Sequence, residues 1–331
     1  MGDRLSGDRM IRAALVTNWG DHCSIAQYAK NLVDHFPIDC GVDLRVVSHP
    51  LTFENIYDHV HNVDVIHVNF LSYWMTESLV EKLGRVREPG QKIVVTYQET
   101  TEYQLKLLGE CPWVDAIVIH EPKGEYHKKV HKIPNGIRLV NTVGVEWTRK
   151  LGSAGFASGY KRFDRVAQTA KDLNLGCLLL TPQAVCGDQN AANKMARDMK
   201  QIHSDAEVVM DWLSYEKVVR YLAECMAVVF PYDETATTLG IGNAVRFGLA
   251  SGRPVIVSHH SHFRDLLDYQ DEVYFIEKDL ETTVRQVMED VENNAERLPN
   301  RLLRDMNWDR VSMTYAKLYG DVIFQSEGLM V

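Results

Sequence analysis

Short runs of Val, Ile and Leu alternate with longer amphipathic stretches from one end of the chain to the other. Nearly continuous apolar runs of this kind are typical of strands that helices cover on both faces. The regular alternation of such strands with helices predicts a parallel α/β fold. The predicted strands are 11–17, 43–48, 63–68, 92–97, 116–120, a short strand ending at Ile133, 149–154, 176–181, 206–210, 227–231, 254–258 and 273–276.

The predicted helices fall between these strands, and Ser24 is a suitable N-cap for the first of them. They include 24–35, 76–83, 103–108, 163–174, 190–202, 215–224, 241–250 and 308–324. The alternation of strands and helices starts again after the turn IPNG. The sequence therefore predicts two tandem Rossmann-like, doubly wound parallel-sheet domains with a cleft between them. We expect the domains at 1–145 and 146–307, followed by a C-terminal helix in 308–331.

The composition narrows the classes of protein. A length of 331 residues accommodates two domains, at about 100 to 200 residues per domain. Its 36 Lys and Arg against 45 Asp and Glu give a net charge of -9, which argues against a broad nucleic-acid-binding surface. The six cysteines are scattered singly, without zinc-ligand spacing, and there is neither an apolar leader nor an apolar run of membrane length. We therefore expect a cytoplasmic protein with reduced thiols and no metal site.

Three loops at the carboxyl ends of predicted strands carry the candidate chemistry, because open α/β sheets bind ligands at that edge. The first loop, TNWGDHCS, contains Trp19, Gly20, Asp21 and His22 ahead of the helix that Ser24 begins. The free amides of that helix's first turn, and a glycine that lets the backbone come close, suit an anion or a polar acceptor. An ordinary strand-to-helix connection is the alternative interpretation.

The second loop, GSAGFASGYKRF, is rich in small residues and ends in two basic side chains. Small residues such as Gly155 permit a diphosphate to approach the backbone, while Lys161 offers a point charge and Arg162 a fork of donors. The glycine-rich pattern of P-loop nucleotide-binding proteins is absent. A flexible turn with solvated basic residues explains the pattern equally well.

The third loop follows the strand that ends at Pro231 and carries Asp233 and Glu234. Their carboxylates can accept hydrogen bonds from sugar hydroxyls, or they can simply cap a solvated turn. The next helix is predicted to open with residues whose backbone amides suit a phosphate, namely Gly240, Ile241, Gly242 and Asn243.

The order of these segments resembles that of GT-B-fold glycosyltransferases, in particular the retaining glycosyltransferase family 4. The resemblance rests on ALVTNWG with SIAQYAKNL, VDVIHVNF, KIVVTYQET, KIPNGI, GFASGYKRFDRV, ECMAVVFPYDET, GLASGRPVIVS and NWDRVSMTYAKLYGDVI. It implies a nucleotide-sugar donor held mainly by the second domain and an acceptor held mainly by the first. It also implies that Gly20, Lys161 and the amides of 240–243 lie against the donor phosphates, and that the helix in 308–331 crosses back to the first domain.

The chain departs from the family pattern where members usually carry two glutamates eight positions apart. Leu239 and Phe247 occupy those positions here. We therefore expect Asp233 and Glu234 to take over contacts to the sugar.

Three aromatic or polar positions complete the donor site that the resemblance implies. Phe156 stands where members often have an arginine, so Arg162 is expected to substitute for it. Gln98 replaces the histidine that usually meets the sugar, and its amide can donate and accept hydrogen bonds. Trp212 occupies the region where relatives receive the nucleobase, although core packing is the alternative.

The resemblance implies transfer of a sugar from a nucleotide sugar with retention of configuration and without a metal or other cofactor; no D-x-D motif is present. Catalysis then rests on holding the leaving diphosphate among amides and cations. We assign catalytic roles to Gln98, Lys161 and Glu234. A non-catalytic sugar-nucleotide-binding or partner-binding relative, motivated by the missing glutamates and histidine, and a sugar-nucleotide epimerase of the same fold are the alternatives.

The acceptor side is assigned to first-domain residues, namely Trp19, Asp21, His22 and His120, whereas His67 is expected to be a hydrogen-bonded core histidine. The acceptor itself, whether a glycan, a lipid-linked sugar or a small molecule, is not specified by these residues, and neither is the oligomeric state. The stretch EPKGEYHKKVHK, with Lys123, Lys128 and Lys129, predicts either weak contact with an anionic membrane or a solvated helical face.

Overall fold

The computed structural model describes residues 10–19, 23–49, 58–70, 77–120, 126–183, 190–233 and 239–324. The chain divides into two compact units, and each unit is assembled from segments that are separated in sequence. The first unit comprises Met1–Gly136, Thr238–Ile241 and Trp308–Val331. The second unit comprises Ile137–Thr237 and Gly242–Asn307.

The strands are short and are formed largely by the apolar runs of the sequence. In chain order they are β1 (Ile11–Asn18), β2 (Val42–His49), β3 (Val65–Phe70), β4 (Lys92–Tyr97), β5 (Glu99–Thr100), β6 (Ala116–Ile119), β7 (Val130–Lys132), β8 (Thr148–Ala154), β9 (Gly176–Leu180), β10 (Glu207–Val209), β11 (Cys225–Phe230), β12 (Leu239–Gly240), β13 (Val255–Val257) and β14 (Tyr274–Phe275).

Most of the helices lie between strands, at amphipathic stretches of the sequence, and the last three follow the final strand. In chain order they are α1 (Ser24–Asp34), α2 (Glu77–Val86), α3 (Glu102–Glu110), α4 (Phe163–Asp172), α5 (Ala191–Ile202), α6 (Tyr215–Ala223), α7 (Asn243–Ala250), α8 (Leu280–Glu292), α9 (Asn300–Asp305) and α10 (Trp308–Phe324). Two stretches of 3-10 helix, Gly159–Lys161 and Ser261–Tyr269, occur in the loops after β8 and β13. No helix in the described part of the chain combines the length and the apolar character that crossing a membrane requires.

Each unit contains one six-stranded sheet, and the strands of both sheets pair in parallel. The order is β2-β1-β3-β4-β6-β7 in the first unit and β10-β9-β8-β11-β13-β14 in the second. The residues of β6 and β11 are buried along the whole strand, as expected when helices cover both faces of a sheet. These sheets confirm the predicted architecture of two doubly wound parallel-sheet units.

The strand order defines one switch point in each sheet, where ligands of open α/β folds bind at the carboxyl ends of the strands. In the first sheet the chain proceeds outward from β1 to β2 and then returns to place β3 on the other side of β1. In the second sheet β8 and β11 are neighbours at the equivalent position, with β9 on the other side of β8. The loop that ends at Lys161 follows β8, and Asp233 follows β11.

Helix α1 has a different N-cap from the predicted one. Ser24 is its first helical residue, and Cys23, with an extended backbone at φ -143° and ψ 160°, is the N-cap. The Cys23 Sγ accepts a hydrogen bond from the Ala26 amide at 3.4 Å. The prediction of Ser24 as the N-cap is therefore wrong, because the thiol of the preceding residue takes the position that a hydroxyl usually fills.

The segment predicted to open a helix at Ile241 contains a strand instead. Strand β12 pairs antiparallel with β5, so that Leu239 lies opposite Thr100 and Gly240 lies opposite Glu99. Helix α7 begins only at Asn243. The predicted helix start is wrong because Leu239 and Gly240 join a short β-ladder in the first unit.

Helix α10 is joined to the first sheet by a chain of buried polar groups. The His67 Nδ1 lies 2.6 Å from the Tyr319 hydroxyl, and its Nε2 lies 2.8 Å from the Thr96 hydroxyl. The Tyr315 hydroxyl lies 2.9 Å from the Thr96 hydroxyl and 2.7 Å from that of Tyr28. Burial lowers the pKa of His67 to about 3, so the imidazole is neutral in the fold. The expectation that His67 is a hydrogen-bonded core histidine is confirmed.

Candidate functional site

The loop after β8 turns sharply at Gly155 and ends at Lys161. Gly155 has a φ of +128°, a backbone conformation that residues with a Cβ rarely adopt. Its amide donates to the Leu180 carbonyl at 2.9 Å, which ties the turn to the neighbouring strand. A Cβ at this position would lie 2.6 Å from the Lys161 Nζ. The glycine therefore lets the lysine amine reach the backbone at the carboxyl end of β8.

Lys161 is a buried cation whose side chain is only 7% exposed. No acceptor or carboxylate of the described residues bonds to its amine, and its nearest aromatic neighbours are Phe156 and Tyr160, with ring centroids at 5.7 and 5.9 Å from Nζ. Burial lowers the pKa of Lys161 to about 8, because the charged amine loses its hydration. A buried charge without a counterion is unfavourable in the fold, and an anionic ligand would supply the missing partner.

A cluster of rings lies beside Lys161, and sequence reasoning missed most of it. Tyr160 packs edge-to-face on Tyr232 at 5.3 Å between centroids and stacks on His260 at 6.1 Å. His260 lies 4.7 Å from His262 between centroids. Burial first, and then the charge of Lys161, lower the pKa of His262 to about 4, so this ring is neutral at physiological pH. The concentration of His and Tyr in the loops after β11 and β13 was the available sequence signal.

Phe156 joins the lysine to the residue predicted to receive a nucleobase. Its ring lies 5.9 Å from that of Trp212, with an angle of 30° between the ring planes. Because Phe156 also lies beside the Lys161 amine, the three predicted donor residues come together in the second unit. An aromatic pair next to a buried cation provides a stacking surface and a charge for one ligand that has both a planar ring and an anionic group.

Arg162 has a different role from the predicted one. Its Nη1 donates to both carboxylate oxygens of Asp233 at 3.0 and 2.9 Å. Its Nε and Nη2 donate to Asp164 at 3.0 and 2.8 Å, and these carboxylates raise the pKa of the guanidinium. Arg165 also pairs with Asp233, at 3.4 Å.

These ion pairs occupy the Arg162 guanidinium and the Asp233 carboxylate, which we expected to contact the donor. The fork of Arg162 is occupied by carboxylates instead of phosphate, and the Asp233 carboxylate bonds to two arginines instead of sugar hydroxyls. The Asp233 amide also donates to the Tyr160 carbonyl at 2.8 Å. Arg162 and Asp233 therefore brace the loops after β8 and β11 against each other. Lys161 is left as the buried basic group of this loop that has no acidic partner among the described residues.

The predicted row of phosphate-binding amides is interrupted. The Gly242 amide donates to the His262 carbonyl at 3.0 Å, so the prediction that it faces a phosphate is wrong. Gly240 lies in β12, and Ile241 is buried. Asn243 is the first residue of α7, which has no side-chain cap.

In the first unit, Gln98 lies directly after β4 and is part of a buried polar row. Its Nε2 donates to the Asn69 Oδ1 at 2.9 Å, and the Asn69 Nδ2 donates to the Thr17 Oγ1 at 3.1 Å. Thr17 is in β1 and Asn69 is in β3, so the row follows the carboxyl ends of three adjacent strands. Asn69 and Thr17 were not predicted, although a polar residue near the end of an apolar strand run was a usable signal.

The remaining acceptor-side residues have structural contacts or lie outside the described residues. The Trp19 carbonyl lies 3.4 Å from the Ser48 Oγ, and Lys30 lies over its indole at 6.0 Å. The His120 Nδ1 lies 2.7 Å from the Ile133 carbonyl, which only accepts, so Nδ1 carries a proton. His120 is also 4% exposed, which makes it a core residue of the first unit. The predicted residues outside the described part of the chain are Gly20, Asp21, His22 and Glu234.

The described part of the lysine-rich stretch is not the predicted solvated helical face. This part, 126–132, is a turn followed by strand β7 at the edge of the first sheet. The Lys129 amine donates to the Cys111 carbonyl at 2.8 Å, and the Lys132 amine lies over the Tyr126 ring at 5.6 Å. The alternation of Lys and His was therefore a sign of an edge strand and not of a helix.

Solved structures of similar fold include glycosyltransferases, although no protein-family model and no curated protein matches this sequence. HepE of Anabaena, in complex with UDP and glucose, has a TM-score of 0.67 at 10% identity over 97% of this chain and 100% of that one. AviGT4, a glycosyltransferase involved in avilamycin A biosynthesis, has a TM-score of 0.66 at 14% identity over 95% of this chain and 98% of that one. A glycosyltransferase from Rickettsia africae has a TM-score of 0.70 at 10% identity over 96% of this chain and 99% of that one. The chain therefore has the GT-B fold.

Proposed function

We propose that this protein is a glycosyltransferase that uses a nucleoside diphosphate sugar as donor. The observation that carries the proposal is Lys161, a buried amine without an acidic partner among the described residues, beside a glycine turn at the switch point of the second sheet. Its position suits the diphosphate of a donor, and the Phe156 and Trp212 rings suit the base. UDP is the nucleotide to test first, because structures of the same fold include complexes with UDP and UDP-glucose.

In the proposed reaction, Lys161 neutralises negative charge that develops on the leaving diphosphate. A preorganised donor of this kind acts in a desolvated site, where its electrostatic effect is larger than in water. Gln98 contacts a hydroxyl group of the transferred sugar. We further propose retention of configuration and independence of metals. Retention is proposed from the family resemblance, and metal independence also from the lack of a D-x-D motif.

The acceptor is a separate part of the proposal, and its class is open to a glycan, a lipid-linked sugar or a small molecule. We also propose a cytoplasmic setting, which the described cysteines support, because none of them forms a disulfide within the described part of the chain. These are Cys23, Cys40, Cys111, Cys177 and Cys225.

The test is incubation of the full chain with a panel of UDP-, GDP- and ADP-linked sugars, with release of the nucleoside diphosphate as readout, in the presence and absence of EDTA. We expect release with one class of donor, unaffected by EDTA, and about a hundredfold lower kcat/KM for Lys161→Met, since one preorganised donor is removed. Binding of a nucleotide sugar without any turnover contradicts transfer and favours a non-catalytic binding protein. Formation of an altered free nucleotide sugar favours an epimerase instead.

A further inference from the structure

The buried row of Thr17, Asn69 and Gln98 has a defined hydrogen-bond direction. These residues are 0, 1 and 7% exposed, so water hardly competes for the hydrogen bonds between their side chains. The row runs along the carboxyl edge of the first sheet, next to its switch point, where a ligand of an open α/β fold binds.

The carbonyl of Ile25 sets the direction of the row. The Asn69 Nδ2 lies 3.3 Å from this carbonyl oxygen, in the first turn of α1. Because a carbonyl oxygen only accepts hydrogen bonds, the NH2 end of Asn69 must face Ile25, and its oxygen must face Gln98. Gln98 must then point its NH2 end at Asn69, as the Nε2 to Oδ1 distance of 2.9 Å indicates. Turning either amide around would bring two acceptors or two donors into contact inside the fold, which is costly.

This direction leaves the other end of Gln98 available to a ligand. Its Oε1 accepts no hydrogen bond from the residues that the structure describes, whereas one hydrogen of Nε2 is committed to Asn69. A freely rotating amide could offer either end to a ligand. The amide of Gln98 offers its oxygen, because the other end is held by Asn69.

We propose that Asn69 is a positioning residue that presents the Gln98 carbonyl oxygen, as a hydrogen-bond acceptor, to one hydroxyl group of the transferred sugar. The inference rests on the proposed function and adds to it the recognition of one hydroxyl group of the sugar. A hydroxyl at the recognised position of the sugar can donate to Gln98, whereas hydrogen or fluorine at that position cannot. Asn69 itself does not touch the substrate in this arrangement and acts only through Gln98.

The experiment compares kcat/KM for the preferred nucleotide sugar with that for each of its monodeoxy and monodeoxyfluoro analogues. The wild-type protein is expected to lose at least about tenfold with the analogues altered at one position, the size of a hydrogen bond in a buried site. In Gln98→Met and in Asn69→Leu the loss at that position is expected to be smaller than the wild-type loss by about tenfold. Intrinsic differences in analogue reactivity cancel in this comparison of variant with wild-type losses, since every variant is tested with the same analogues.

Two further variants separate positioning from simple damage to the fold. Asn69→Asp, as the protonated acid that burial favours, keeps an oxygen toward Gln98 and a donor toward the Ile25 carbonyl, so it is expected to keep the wild-type analogue profile and is the conservative rescue. Asn31→Leu is the matched control, because the Asn31 Oδ1 accepts from the Gln27 Nε2 at 3.1 Å in α1, away from the row. It is expected to leave the profile unchanged even where it lowers stability.

The outcomes distinguish this inference from the proposed function. If the wild-type protein discriminates among analogues and Asn69→Leu lowers kcat/KM for all of them by the same factor, Asn69 has only a structural role and the inference is wrong. If Gln98→Met retains the selective loss, Gln98 does not recognise the hydroxyl and the inference is also wrong. If the wild-type protein turns over no nucleotide sugar at all, the proposed function fails, and the sugar specificity inferred from it fails with it.

Discussion

Replacement of Lys161 by methionine should make the protein without ligand more stable while it removes diphosphate binding. Methionine keeps an unbranched apolar chain in the pocket and deletes the buried charge. A lysine pKa lowered from 10.5 to about 8 by burial corresponds to a penalty of about 3 kcal/mol at neutral pH, at 1.36 kcal/mol per pKa unit. The contacts of the amine with the Phe156 and Tyr160 rings offset part of this, so we expect a net gain of about 2 kcal/mol.

The pH dependence of this gain follows from the direction of the pKa shift. Because the pKa of Lys161 is lower in the folded than in the unfolded chain, the unfolded chain binds the proton more tightly. The penalty is therefore complete below pH 8 and disappears as the pH rises toward 10.5. At pH 10 the stability difference between Lys161→Met and the wild-type protein should fall to less than about 1 kcal/mol.

Urea-induced unfolding at pH 7 and pH 10 measures this difference directly, with UDP added in a parallel series. Lys171→Met is the matched control, because Lys171 is an exposed lysine at the end of α4 and its replacement should change stability by less than about 1 kcal/mol at either pH. UDP should stabilise the wild-type protein and Lys171→Met but not Lys161→Met. The reasoning is refuted if Lys161→Met is less stable than the wild-type protein at pH 7, or if UDP stabilises it to the same extent.

Three other predictions concern contacts inside one unit or the other. Gly155→Ala should lose about 2 kcal/mol of stability in urea unfolding and should bind UDP more weakly, because the added Cβ would lie 2.6 Å from the Lys161 amine at a φ of +128°. Gly159→Ala is the control, since nothing lies within 4 Å of its Cβ, and equal effects of the two variants would contradict the role given to Gly155. Because the pKa of His67 is lowered to about 3, the unfolded chain takes up a proton that the fold excludes between pH 6.5 and 3. The wild-type protein should therefore lose about 3 kcal/mol more stability between pH 7 and pH 4 than His67→Gln does, and parallel acid profiles would exclude this role. Tyr315→Phe removes the hydroxyl between Thr96 and Tyr28 and should cost about 1 kcal/mol of stability in thermal unfolding. Tyr103→Phe, at a residue that is 70% exposed, should have no effect, and equal melting temperatures for the two variants would contradict the prediction.

The fold was predictable because its main signals are local. Runs such as the one that forms β11 are apolar along the whole strand, and a run of this kind indicates a strand covered by helices on both faces. The errors occur where the decisive contact is distant in sequence. Leu239 and Gly240 follow no helix pattern of their own but pair with Glu99 and Thr100, and no local rule indicates that pairing. At the N-terminus of α1, the cap is the thiol of Cys23 because the helix starts one residue earlier than it would with Ser24 as the cap.

The candidate site was predictable only in part, for a related reason. Glycine and lysine in a strand-to-helix loop indicate a phosphate site without reference to any distant residue, so Gly155 and Lys161 could be selected from the sequence. Arg162 and Asp233 lie in loops after two different strands and pair with each other. Each residue by itself suggests a contact with the donor, and the sequence does not indicate that the two are paired. The polar row through Asn69 likewise depends on strand order, because it requires the first, third and fourth strands to be adjacent.

The central claim is that the buried amine of Lys161 binds the diphosphate of a nucleotide. Isothermal titration calorimetry with UDP and with uridine, on the wild-type protein and on Lys161→Met, tests it most directly, since the two ligands differ only in the diphosphate. We expect the wild-type protein to bind UDP at least about a hundredfold more tightly than uridine, the equivalent of one or two charge-assisted hydrogen bonds. Lys161→Met should bind the two ligands with similar affinity. Equal affinity of the wild-type protein for UDP and uridine, or an undiminished preference for UDP in Lys161→Met, would contradict the claim.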